Sequence, residues 1–182
     1  MSRAYLYVLR VSGPEDLIKV GLTRDPLARW SSFHPRWFEN FNLDHSHLVE
    51  TETRQDAQRL ETQMHRVLKV HSCPMPITFS RNSGGRTEWY RGAAHAASAA
   101  IKNLDAEGYT THSTARPLIA TQMTGVKEHL YGWVMDAYAR HCEGTLDVQT
   151  HAAISNLVDA HRNFGADIEE MFPFEIRRAL GI

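Results

Sequence analysis

Cysteine is scarce in this chain. Only Cys73 and Cys142 occur among 182 residues, and they lie far apart. A disulfide framework is excluded, and a reducing compartment fits, so the expected location is cytoplasmic. Zinc-ligand patterning is also lacking. His45-Ser46-His47 and His71-Ser72-Cys73 offer ligands but no pair of pairs at zinc spacing. Long apolar runs are missing too. The stretch between Arg3 and Arg10 is six residues, too short for the core of a signal peptide. No stretch approaches the roughly 20 apolar residues that span a bilayer, so no membrane partner is expected. A global positive charge is absent as well: the net charge is -1. Any grip on nucleic acid must therefore come from a local patch.

What is present is the composition of a folded domain, 42% hydrophobic and 23% charged, without repeats or biased tracts. Residues 4–11 and 17–23 read as two strands joined by the turn cluster Ser12-Gly13-Pro14-Glu15-Asp16, an antiparallel hairpin. Asp25 suits a helix N-cap with Pro26 behind it, and a short helix follows to about Phe33. Residues 45–50 predict a third strand. Thr53-x-x-Asp56 resembles a capping box, opening a helix with Ala57, Leu60, Met64, Val67 and Leu68 at helical spacing. A loop over 72–86, a short extended piece Thr87–Arg91 and an Ala-rich helix over 92–106 complete this part. Residues 108–118 read as a linker. An amphipathic helix from Met123 to Tyr138, a second with Ile154 to Phe164, and a short one opened by Pro173 follow. The predicted fold class is α+β: a small mixed or antiparallel sheet of three to four strands flanked by helices, then a helical C-terminal region. The domains are placed at 1–110 and 119–182.

Several residues stand out as candidates for chemistry. Tyr5, Tyr7 and Leu9 share one face of the first strand. Lys19 interrupts an apolar strand, and taken alone it reads as pointing to solvent. Arg29 lies one turn into the first helix. Glu61 and His65 are four residues apart on one helix face, where a surface pair is the bland reading. A phenol, a lysine, an arginine and a carboxylate are the groups needed to cut a phosphodiester with one metal ion. Trp30, Phe33, His34, Arg36, Trp37, Phe38 and Phe41 form an aromatic-basic stretch, read first as core and second as a surface that stacks on unpaired bases. Arg36, Arg81, Arg86 and Arg91 are candidate phosphate contacts.

The order and spacing of these residues resemble the GIY-YIG nuclease superfamily, in its phage- and bacterial-type branch with a Lys-Ile-Gly-like second motif. Ala4-Tyr5-Leu6-Tyr7 stands for the first motif, with Tyr7 as the motif tyrosine and Tyr5 as the alternative. Lys19-Val20-Gly21 stands for the second. Arg29 matches the helix arginine, Glu61 the metal-binding glutamate, and Glu88-Trp89-Tyr90 the closing strand. The resemblance covers residues 4 to about 105. No glycine precedes the first motif tyrosine, and Lys19 replaces the second. The resemblance implies one-metal hydrolysis of DNA. Glu61 would hold Mg²⁺ or Mn²⁺, Tyr7 would orient or deprotonate water, Lys19 and Arg29 would meet the phosphate, and His65 would be an auxiliary base or phosphate contact. The alternative is a catalytically inactive module on the same fold that binds nucleic acid or a partner protein. Residues 113–182 carry 6 Lys and Arg against 9 Asp and Glu, whereas 1–112 carry 14 against 12. The C-terminal helices therefore read as an accessory region, and their stripe with Trp133, Tyr138 and Phe164 has three readings: an intramolecular core, a homodimer interface or a docking surface for a protein partner.

Overall fold

The computed structural model describes residues 3–79 and 87–182. Its contacts divide the chain into two compact units, Met1–Pro117 and Leu118–Ile182.

The first unit is α+β. Strands β1 (Ala4–Arg10) and β2 (Leu17–Thr23) form the predicted hairpin, with Tyr7 opposite Gly21 and Leu9 opposite Lys19. Strand β3 (His47–Thr51) pairs with the other edge of β1, and the short β4 (Trp89–Arg91) pairs with β2. A fifth strand, β5 (Thr111–His112), adds to β3. The sheet order is β4-β2-β1-β3-β5, and every pairing is antiparallel. The sheet thus gains a strand inside the stretch expected to be a linker. Its two residues are too few to read as a strand by themselves and are held by the pairing with β3.

Helix α1 (Pro26–Ser31) begins as its sequence dictates. The Asp25 carboxylate accepts the Ala28 N–H at 3.0 Å, and Pro26 sits where no donor is needed. The short α2 (Trp37–Asn40) follows. Helix α3 (Arg54–Leu68) is capped by the Thr53 hydroxyl, which accepts the Asp56 N–H at 3.1 Å. Helix α4 (Ala94–Ala106) closes the unit's main core. The alternation of β1 decides the layering. Leu6 and Val8 join Ile18, Val20 and Val49 beneath Leu60, Met64 and Leu68 of α3 and Ala97, Ile101 and Leu104 of α4. On the opposite face Tyr7 meets Trp30 edge-on, and Phe33, Phe41, Phe79 and Trp89 follow in ring-to-ring contact. Trp30, Phe33, Trp37, Phe38 and Phe41 are all buried. The aromatic stretch is therefore core, as its first reading had it, and the base-stacking alternative falls away for these rings.

The second unit is helical. Helices α5 (Arg116–Gly125) and α6 (Lys127–Cys142) are separate, so the single helix expected across Met123–Tyr138 breaks at Gly125-Val126. Then come α7 (Val148–Asn163), α8 (Ile168–Met171) and α9 (Phe174–Leu180). Leu130, Val134 and Ala137 of α6 pack with Ile154 and Val158 of α7, Ile168 of α8, and Ile176 and Leu180 of α9. No helix among the described residues is long and apolar enough to cross a membrane.

Candidate active site

The candidate residues gather where β4 stops. β4 pairs with β2 only over Leu17–Lys19, and the Glu88 carbonyl takes the Val20 N–H at 3.0 Å just beyond it. Past that point the β2 edge turns to α3, and the Glu61 carboxylate accepts the Leu22 N–H. Strand, helix and edge residues meet at this corner because one partner strand is too short to cover the other.

Lys19 does not face solvent. Its side chain is fully buried, and its Nζ lies 5.1 Å from the ring centres of both Phe33 and Trp89. Glu88 Oε2 meets it at 3.0 Å. Burial pulls the Lys19 pKa below its ordinary value, and Glu88 opposes that shift. An unpaired ammonium there would be costly, so the carboxylate is needed to keep it charged.

Tyr7 lies flat against Gly21 on the neighbouring strand. A Cβ on Gly21 would stand 2.3 Å from the Tyr7 hydroxyl, so only glycine leaves room for this ring. The hydroxyl is buried and has no hydrogen-bond partner of ordinary geometry among the described residues. The Arg29 guanidinium lies close enough to pull its pKa down, but burial prevails and raises it far above the usual phenol range. Arg29 itself is half-exposed and rests on the Phe33 ring, with Cζ 4.7 Å from the centroid. Tyr5 is buried too, two residues along the same strand face and opposite Thr23.

Glu61 is buried in α3. Gln58 Nε2 donates to its Oε2 at 2.7 Å, and burial followed by the charge of Glu88 raises its pKa. His65, one turn on, places Nε2 3.9 Å from Glu61 Oε1. Its Nδ1 contacts the Tyr90 hydroxyl at 2.6 Å, and its ring stacks on Tyr90. Burial lowers its pKa, which keeps the imidazole neutral at pH 7. Ligand atoms of Glu61, His65 and Glu88 all lie within 4.8 Å of one another. This oxygen-rich set fits a hard divalent ion that keeps several waters, such as Mg²⁺ or Mn²⁺. Tyr7, Lys19, Arg29, Glu61 and His65 are thus in one electrostatic neighbourhood.

A family model described as the T5orf172 domain matches residues 4–105, more than half of the chain. The chain belongs to the T5orf172 domain family. The T5orf172 domain spans every residue of this corner, from Tyr7 to Tyr90, and leaves the helical unit outside it. Such a domain is compatible with a nuclease-like or DNA-binding role. No curated protein and no solved structure matches the chain.

Two other expected contacts of the T5orf172 domain, Arg36 and Arg91, are engaged by carboxylates. Arg36 is paired with Glu39 one turn away, through Nε to Oε2 at 2.6 Å, and its guanidinium covers Phe38. Arg91 is exposed and reaches Glu15 at 3.2 Å. Arg81 and Arg86 lie outside the described residues. Glu88 is the residue that motif reading left without a role. Its signal, a carboxylate just before an edge strand, gains meaning only once Trp89 is seen opposite Lys19.

Proposed function

We propose that the chain is a GIY-YIG-like, metal-dependent endonuclease acting on DNA. The observation that carries this reading is the meeting of Tyr7, Lys19, Arg29, Glu61 and His65 at the open end of β2, within a domain compatible with such a role. Glu61 would hold a Mg²⁺ or Mn²⁺ ion, which would supply charge stabilisation to the reacting phosphate. Arg29, half-exposed and always charged, presents its fork to a phosphate oxygen. Lys19 adds fixed positive potential from beneath while its charge is shared with Glu88. Tyr7 is fully buried and stays protonated at neutral pH, so it is not the base that takes the proton of the attacking water. The proton goes to His65, which is neutral. For this its Nδ1–H donates to the Tyr90 oxygen, leaving the Nε2 lone pair open toward Glu61.

A second reading has two specific observations in its favour: Tyr7 is fully buried, and Lys19 is engaged by Glu88. On that reading the domain binds DNA without cutting it. Supercoiled plasmid incubated with Mg²⁺ or Mn²⁺ separates the two. The nuclease reading expects nicking that falls by about 10²–10³ in Arg29→Ala and is lost in Glu61→Ala. Gel-shift binding that persists in Glu61→Ala, with no nicking by the native chain, selects the binding module.

A further inference from the structure

Glu88 is tethered twice. Its backbone carbonyl accepts the Val20 N–H at 3.0 Å, and its Oε2 meets Lys19 Nζ at 3.0 Å. Lys19 cannot carry it away, because that ammonium is itself buried between the Phe33 and Trp89 rings. The carboxylate is thereby kept beside Glu61 and His65, with ligand atoms of all three within 4.8 Å. Glu61 is buried and its hydrogen-bonding partners are neutral, the Gln58 amide and the Leu22 N–H. Two carboxylates held this close repel each other. A divalent cation relieves that repulsion.

We infer that Glu88 is a second carboxylate ligand of the divalent cation, and that Lys19 is the positioning residue that holds it in reach of the ion. The inference rests on the metal-dependent reading of this corner. It gives the lysine in the second motif a task other than that of a tyrosine. Two carboxylates share the ion, and His65 is left to handle the proton.

The test reads metal binding directly. Mn²⁺ is titrated into the full chain and the free-ion EPR signal is followed. Wild type, Glu61→Gln, Glu88→Gln and the double variant Lys19→Met/Glu88→Gln are compared. Wild type should bind one Mn²⁺ ion, and Glu88→Gln should bind it about tenfold or more weakly, as should Glu61→Gln. Glu88→Gln strands Lys19 as a buried charge and is prone to unfold, whereas the double variant removes both charges and keeps the interior neutral. With Glu88 as a ligand, the double variant also loses about tenfold or more in affinity. Wild-type affinity in the folded double variant makes Glu88 a counter-ion of Lys19 only and overturns the inference, as does a native chain that binds no Mn²⁺. Plasmid nicking is scored on the same samples. Glu88-dependent Mn²⁺ binding without nicking keeps this inference and removes the nuclease reading. Nicking that requires Glu61, with Mn²⁺ affinity indifferent to Glu88, does the reverse.

Discussion

At the scale of single residues, the site is built from close approaches that leave little slack. Gly21 shows it most sharply. Its backbone needs no special conformation; the glycine is there for space, since the Tyr7 hydroxyl and Cζ occupy positions 2.3 and 2.5 Å from where a Cβ would be. Gly21→Ala must push the ring out of a core that includes Trp30, and over-packing of this kind costs about 1–3 kcal/mol. Urea unfolding should show that loss. In a Tyr7→Leu background the added methyl meets a side chain without the ring, so Gly21→Ala should cost clearly less there. Equal costs in the two backgrounds would mean that Tyr7 is not what fills the space. The hairpin was legible in the sequence, because the turn cluster over 12–16 separates two strand-type runs; the facing of Tyr7 and Gly21 came only with the structure. The burial of Lys19 was not legible. A lysine gives no local sign of the Phe33, Trp89 and Glu88 side chains that surround it, since they arrive from 14 to 70 residues further on.

At the scale of elements, local signals fixed the starts of α1 and α3, and those starts set where Arg29, Glu61 and His65 fall. Asp25 and Thr53 each cap through their own side chain, so no distant partner was needed to read them. β5 and the break between α5 and α6 were invisible for the opposite reason. β5 exists through its pairing with β3, and Gly125 sits inside an apolar stripe that reads as one helix. Helix α7 hides a further element-level property. His161 is 2% exposed, and its Nε2 is buried without a hydrogen-bond partner among the described residues. Burial, and then the charge of Lys127, lower its pKa. The unfolded chain therefore takes up a proton near pH 6.5 that the folded chain refuses. The stabilising contribution is complete above that pH and is lost as the pH falls through the lower folded-state value. Urea midpoints should drop between pH 7 and pH 5, and His161→Leu should flatten part of that drop. His47 and His65 are shifted the same way, so the measurement that decides is the difference between the variant and wild type. Identical pH profiles would show that His161 titrates normally.

At the scale of the molecule, charge is divided between the two units. Residues 1–117 hold 15 Lys and Arg against 12 Asp and Glu, whereas 118–182 hold 5 against 9. A DNA-binding role for the first unit must therefore work with a small excess. That excess is partly spent, since Arg36 faces Glu39 and Arg91 faces Glu15 on the exposed surface. Exposed pairs of this sort add little stability, about 0–1 kcal/mol, so their carboxylates can be removed without endangering the fold. Their effect is on the field that a phosphate backbone meets. Each phosphate contact contributes about 0.9 to the slope of log affinity against log salt. With few cations available, the native chain should show a shallow slope of about 3 or less in magnitude. The Glu15→Gln/Glu39→Gln variant releases both arginines from their carboxylates. Its DNA binding should tighten at low salt, and its slope should steepen by about 1–2 if Arg36 and Arg91 each take a phosphate. Fluorescence anisotropy with a labelled duplex across a salt series measures this. A slope that does not move would place the DNA away from both arginines and leave the half-exposed Arg29 at the end of β2 as the next contact to test.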